Sequence, residues 1–129
     1  MIVSDFGGDH SVQSIAQLEQ RLGVRFQDEQ NLFYLTPDSS DHPDLTIHVK
    51  GDLAAIYYYR GGGQGLYVSV GGKMNLNPKE WTTFSIDRAD SDPIDVFNVS
   101  IVTFSQALEA AKEFFHSQEL PRSIEWRQL

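Results

Sequence analysis

The stretch LTIHVKGDLAAIYYYRGGGQGLYVSV, residues 45–70, decides the fold. Apolar and polar residues alternate from Leu45 to Lys50, the period of two that is typical of a strand with one buried face. Short glycine-containing connections divide the stretch into three such runs, at 45–50, 53–60 and 66–70. Connections this tight join antiparallel neighbours, so the stretch predicts three consecutive strands of a meander.

Apolar runs with strand composition also lie on both sides of this meander. They cover residues 31–36, 81–86 and 94–101, and SIEW at 123–126 is expected to form a short final strand. The alternation in the run that ends at Ile101 breaks at Phe97 and Asn98, which predicts a bulge there. The sequence therefore predicts strands before and after the meander.

Two segments have the periodicity of amphipathic helices. Apolar residues recur at helical spacing between Ser11 and Gly23, which predicts a helix over about 12–22. A second helix begins after Thr103, because Thr103 and Gln106 fit a capping box. Its apolar face consists of Phe104, Ala107, Leu108, Ala111, Phe114 and Phe115. This order of elements predicts an α+β fold, an antiparallel sheet of about five to six strands with an N-terminal and a C-terminal helix on one face.

Composition narrows the class of function. The 129 residues fit a single domain, 1–129. Without cysteine the chain forms no disulfide and no thiolate zinc site, and with neither a signal peptide nor an apolar run of about 18 residues we expect a cytoplasmic protein. The formal net charge of −8, with dispersed Lys and Arg, disfavours nucleic acid and anionic lipid and favours a basic protein partner.

The segment DRADSDPID, residues 87–95, concentrates acidic side chains. Its four carboxylates are Asp87, Asp90, Asp92 and Asp95. Calcium takes six to eight oxygen ligands, but the segment lacks the turn glycine and final glutamate of an EF-hand, and Arg88 would compete with a cation. A solvated loop, a partner-facing acidic surface and a calcium site are the three interpretations, with the metal the least favoured.

A second acidic loop, PDSSDHPD at 37–44, adds an imidazole. Its side chains with metal-binding potential are Asp38, Asp41, His42 and Asp44. They could suggest zinc or a two-metal hydrolase, yet a convincing ligand set normally includes further His or Glu at regular spacing. Asp and Ser beside Pro43 are also the residues that turns use, so a turn is the favoured interpretation.

The remaining chemical motifs are incomplete. GGGQG at 61–65 has no following Lys-Ser/Thr pair and leads into a strand, so it predicts a hairpin connection rather than a phosphate loop. No GxSxG elbow marks a nucleophile. Alternation places Tyr57 and Tyr59 on one face and Tyr58 on the other, which leaves too few aromatics for an RNA-binding sheet. We therefore expect no catalytic residues and no cofactor.

The segment VTFSQALEAAKEFFHSQELPRSIEW, residues 102–126, resembles the C-terminal signature of the immunity protein 1 family of bacterial polymorphic toxin and contact-dependent inhibition systems. The shared features are a capped, alanine-rich helix that closes on an aromatic residue, then a turn with proline and a strand ending in tryptophan. Here these are Ala107, Ala110, Ala111, Phe114, Phe115, Pro121 and Trp126. We expect Phe115, Pro121 and Trp126 to dock the helix onto the sheet.

The resemblance implies a protein that binds a cognate toxin domain and blocks it by occlusion, without cofactor or turnover. Many such toxins are nucleases with basic clefts, toward which an acidic inhibitor would be steered. We hypothesise that both acidic loops face the toxin and that an aromatic anchor accompanies them. The hypothesised contact residues are Asp38, Asp41, Asp44, Tyr57, Tyr59, Asp87, Asp90, Asp92 and Asp95. An acidic adaptor for another basic protein and a metal-dependent hydrolase remain the alternatives.

Overall fold

The computed structural model describes residues 1–63, 65–72 and 75–129. The strands are β1 Ile2–Asp5, β2 Gly8–Ser11, β3 Gln30–Thr36, β4 Asp44–Lys50, β5 Leu53–Tyr59, β6 Leu66–Val70, β7 Trp81–Phe84, β8 Ile94–Phe97, β9 Val102–Thr103 and β10 Glu125–Gln128. The helices are α1 Ile15–Leu22 and α2 Phe104–Ser117, and short 3-10 turns occur at Gln27–Glu29 and Asn98–Ser100.

One large antiparallel sheet dominates the structure. Its order is β10-β6-β5-β4-β3-β1-β2, with β9 paired to the start of β5. The predicted meander is confirmed, because β4 pairs with β5 in register from Asp44↔Tyr59 to Lys50↔Leu53 and β5 pairs with β6 across the 61–65 connection. Gln64 of that connection lies outside the described residues.

The predicted fold class, α+β with five to six strands, is wrong. The large sheet has eight strands and a further sheet has two, so the fold is mostly sheet with two helices in the part of the chain that is described. The prediction missed β1, β2 and β9, because their short sequences carry almost no alternation and are held in place by pairing with distant strands.

Helix α1 does not stand at the N-terminus, since β1 and β2 precede it. It also begins later than predicted. Ser11 is paired with Ile2 in the sheet, and Ser14 is the residue whose hydroxyl caps the helix by accepting from the Gln17 amide at 3.2 Å. The helix therefore starts only after the chain has left the sheet.

Helix α2 begins as predicted. Thr103 accepts from the Gln106 amide at 3.0 Å, and the Gln106 side chain accepts from the Thr103 amide at 2.9 Å, which completes the capping box. Both helices pack on the same face of the large sheet, as expected, and share its main core. Trp126 also docks as expected, because its indole donates to the Pro121 carbonyl at 2.7 Å and packs beside Tyr58.

The opposite face of the large sheet is covered by a separate hairpin, β7–β8. Its register runs from Trp81↔Phe97 to Phe84↔Ile94, and its inner residues form a second core with Ala55 and Tyr57. The 81–86 and 94–101 runs therefore do not extend the large sheet. This second layer also buries His48, which is 5% exposed, so the predicted half-buried pattern of β4 fails at this residue, while Thr46 and Lys50 on the same face stay partly exposed.

The bulge predicted at Phe97 and Asn98 is wrong. Strand β8 ends at Phe97, and the 3-10 turn Asn98–Ser100 follows. Asn98 fixes this turn, because its side-chain amide donates to the Asn77 carbonyl at 3.0 Å and accepts from the Thr82 hydroxyl at 2.7 Å.

Ser69 and Gly71 join this turn to the large sheet. The buried Ser69 hydroxyl accepts from the Ile56 amide at 3.0 Å and donates to the Ser100 carbonyl at 2.7 Å. The Gly71 amide donates to the Val99 carbonyl at 2.7 Å. A Cβ at Gly71 would lie 1.7 Å from the Ile101 carbonyl oxygen, so glycine allows the two backbones to approach.

Candidate functional site

The acidic segment 87–95 runs from the connection of the β7–β8 hairpin into β8. Its turn is held by its own side chains. Asp87 accepts from both the amide and the hydroxyl of Ser91, at 3.2 and 2.6 Å, and Asp90 accepts from the Ser85 hydroxyl at 2.7 Å. The hydrogen bonds from Ser91 lower the pKa of Asp87, so this carboxylate is ionised at neutral pH.

The hairpin carries a large share of the protein's charge. Residues 80–97 contain five acidic side chains and one arginine, a net charge of −4 out of the chain's −8. Asp92 and Asp95 are exposed, and Asp95 accepts from the Thr83 hydroxyl at 2.5 Å on the outer face of the hairpin. This surface is therefore strongly acidic and open to solvent.

The acidic connection is also fixed to the body of the protein. The Arg88 guanidinium lies 4.7 Å from the centre of the Phe26 ring, and the Arg88 carbonyl accepts from the Gln27 side chain. The Ser85 amide donates to the buried side chain of Gln30 at 2.7 Å. Arg88 thus contacts the residues that precede β3, while Asp90 and Asp92 of the same segment are exposed.

The second acidic loop lies between β3 and β4. Asp38 forms an ion pair with the N-terminal ammonium group of Met1 at 2.7 Å. Asp44 is half-buried and accepts from the Thr46 hydroxyl at 2.8 Å, and burial raises its pKa. Asp41 is exposed. Two of the three aspartates are therefore engaged within the protein, and the free charge of this loop is smaller than its sequence suggests.

The two acidic loops lie at opposite ends of β3. Loop 37–43 follows Thr36 at the end of the strand, and the 87–95 segment is tied to residues 27 and 30 at its start. Tyr34, which is 45% exposed, lies on the strand between them and lines a cavity of about 340 Å³ with Asp87 and Arg88. The structure therefore does not merge the two loops into one cluster.

Tyr57 and Tyr59 lie on the same face, as predicted, but neither is a free aromatic. Tyr57 packs edge-on against His48 at 5.7 Å between ring centres and belongs to the core beneath the hairpin. Tyr59 packs edge-on against His42 at 4.9 Å. Tyr58 contacts the helix core, where it meets Phe114. Tyr57 and Tyr59 are thus half-buried supports of the hairpin and of the second acidic loop.

The most exposed aromatic residues are ones that the sequence interpretation missed. Trp81 and Phe97 face each other across β7 and β8 on the outer side of the hairpin, with ring centres 6.4 Å apart and exposures of 59% and 58%. The runs WTTF and IDVF contain the signal, since Trp81 and Phe97 alternate with the inward Thr82 and Val96. Recognising it requires knowing that these strands have an outer face in water.

The described residues offer little for catalysis. Within 1–63, 65–72 and 75–129, no three side chains among His, Asp and Glu converge as potential metal ligands. His48 is enclosed by Tyr57 and Phe84, and burial lowers its pKa to about 4. In that same part of the chain, neither helix is long and apolar enough to cross a membrane.

Together, the fold and this surface define an acidic binding protein with an exposed, charged hairpin. The family model described as Immunity protein Imm1 matches residues 8–128, and the chain belongs to this family. It is an immunity protein, an inhibitor that binds and neutralises a toxin. A similar protein, 28% identical over 129 residues and matched over the full length of both chains, is the Double-stranded DNA deaminase immunity protein of Burkholderia cenocepacia (strain H111).

Proposed function

We propose that the chain neutralises a toxin domain that acts on nucleic acid, and that it does so by binding over the toxin's substrate site without catalysing a reaction. The similar protein of Burkholderia cenocepacia is named as the immunity protein of a double-stranded DNA deaminase. An enzyme with such a substrate requires a basic surface that contacts phosphates.

The observation that carries the proposal is the concentration of charge on the β7–β8 hairpin. Residues 80–97 hold a net charge of −4, and the aspartates at 92 and 95 are exposed. A negative surface of this kind is attracted to the basic groups that would otherwise bind the DNA backbone. Occlusion by charge complementarity needs neither a metal nor a nucleophile.

Growth rescue tests the function, and DNA competition tests the mechanism. The cognate toxin domain is expressed with and without the immunity protein, and we expect survival only when both are present. With a catalytically inactive toxin domain, the immunity protein should displace a fluorescent DNA duplex at one molecule per toxin. Rescue without displacement would place the contact away from the substrate site, and no rescue would reject the pairing.

Mixing experiments separate binding from turnover. If inhibition is stoichiometric, residual toxin activity falls linearly with added immunity protein and reaches zero at equimolar amounts. Recovery of full toxin activity after denaturing and removing the inhibitor is also expected, because occlusion leaves the toxin chemically unchanged. Covalently altered toxin, detected by intact mass measurement, would contradict this mechanism.

A further inference from the structure

The outer face of the β7–β8 hairpin carries an aromatic pair that the fold does not use. The residues that point inward from these strands, among them Phe84 and Val96, fill the core against the large sheet. Trp81 and Phe97 point outward and contact each other. Their exposure leaves two contacting aromatic side chains in water, and contiguous apolar surface with a polar rim is typical of interaction sites.

The surroundings of this pair indicate the chemistry of its partner. Thr83 and Asp95 complete the outer face, and Trp81, Asp95 and Phe97 line a shallow depression of about 200 Å³. Glu80 is the neighbour of Trp81 in the chain, and the acidic segment leads directly into β8. An apolar centre with an acidic rim fits an apolar pocket bordered by Lys or Arg.

We propose that Trp81 and Phe97 form the anchor through which this protein binds its toxin, inserting into an apolar pocket with a basic rim on the toxin domain. This inference rests on the proposed function and assigns the contact to one face of the hairpin. Tryptophan is among the residue types most enriched at the positions that dominate binding energy in protein interfaces. The acidic rim then governs the rate of association, and the aromatic pair governs the lifetime of the complex.

The test compares Trp81→Ser and Phe97→Ser with a control of matched exposure, Leu129→Ser. Leu129 is 58% exposed, as Phe97 is, and its backbone amide bonds to the Leu66 carbonyl, which the substitution leaves in place. Affinity for the toxin domain is measured by surface plasmon resonance. We expect the Trp81 variant to bind about 30-fold more weakly, mainly through faster dissociation, with the control within about 2-fold of wild type.

A second variant distinguishes loss of the toxin contact from unfolding of the hairpin. Trp81→Arg keeps a long side chain beside the Phe97 ring but presents a positive charge to the basic rim, so it should bind still more weakly than the serine variant. Thermal melting within about 3 °C of wild type would show that both variants fold. A folded Trp81→Arg variant with wild-type affinity would overturn the inference.

The outcomes also separate this inference from the proposed function. If the wild type binds and inhibits the toxin while the Trp81 and Phe97 variants do so equally well, the anchor is refuted and the function stands. If the wild type neither binds the toxin nor rescues growth, the proposed function and the anchor are both refuted. Light scattering tests whether the aromatic pair instead binds a second copy of this chain. If the wild type is a dimer, and Trp81→Ser converts it to a monomer without loss of toxin binding, the pair serves self-association and the anchor is refuted.

Discussion

Removing the Ser69 hydroxyl with Ser69→Ala should destabilise the protein by about 2–4 kcal/mol. The hydroxyl is fully buried, accepts from the Ile56 amide and donates to the Ser100 carbonyl. Alanine fits the space but leaves one donor and one acceptor buried without a partner, and each such group costs about 1–3 kcal/mol. Two such groups together would cost about 2–6 kcal/mol, and relaxation of the turn toward water keeps the expected loss in the lower half of that range, at about 2–4 kcal/mol.

Urea unfolding followed by circular dichroism measures this loss. For a denaturant slope of about 2 kcal/mol per molar urea, the midpoint should fall by about 1–2 M. Ser11→Ala is the control, because the Ser11 hydroxyl accepts from Gln13 at the exposed edge of the sheet and its removal should change stability by less than about 0.5 kcal/mol.

Hydrogen exchange locates the effect. The Ile56 amide should lose protection in the Ser69→Ala variant beyond the loss expected from global destabilisation, because its hydrogen-bond acceptor is gone. A stability change below about 0.5 kcal/mol, with unchanged Ile56 protection, would refute the argument that this hydroxyl bridges the hairpin turn to the large sheet.

The charge of the hairpin, the burial of His48 and the close packing at Gly71 each have a measurable consequence. Replacing the hairpin aspartates by Asn should slow toxin association by about 10-fold at low salt and make the rate less dependent on salt; the residues replaced are Asp87, Asp90, Asp92 and Asp95. The control neutralises four acidic residues elsewhere, Asp9, Glu109, Glu119 and Glu125, and should change the association rate less. Equal effects of the two sets in stopped-flow measurements would show that the hairpin is not part of the encounter surface. Burial lowers the pKa of His48 from 6.5 to about 4, so between these two pH values the unfolded chain binds a proton at His48 that the folded protein does not bind. The free energy of unfolding should therefore decrease as the pH falls from 6.5 to 4, by up to about 3 kcal/mol. His48→Gln should lack this component in urea titrations from pH 7 to 4, and His116→Gln, at an exposed site, should retain it. Gly71→Ala places a Cβ against the Ile101 carbonyl and should lower the free energy of unfolding by more than about 2 kcal/mol. The control is Gly23→Ala, which should leave the stability unchanged, because Gly23 has a φ of −80° and the nearest atom to its added Cβ is 3.5 Å away. A urea midpoint for Gly71→Ala equal to that of the wild type would contradict the close packing.

Membership of the immunity family could be recognised from residues 102–126 because that segment is governed by local rules. A capping box depends on residues three apart, and the helix stripe depends on a fixed period, so Thr103, Gln106 and Phe114 are predictable without knowing the rest of the fold. The β4–β5–β6 meander is equally local, since short connections force neighbouring strands to pair.

The contacts that shape the candidate surface join residues that are far apart in the chain. Alternation in the sequence separated Tyr57 from Tyr58 but could not say that a second layer would cover Tyr57, because that layer comes from residues 81–97, far along the chain. The same period of two predicted that Trp81 and Phe97 lie in strands but did not indicate that both side chains face water. The sequence alone determined the meander, the second helix and the acidic charge, because each depends on residues close in the chain. Only the tertiary structure decided which aromatic side chains are buried and which face water, because that depends on which distant segment packs on each face of the sheet.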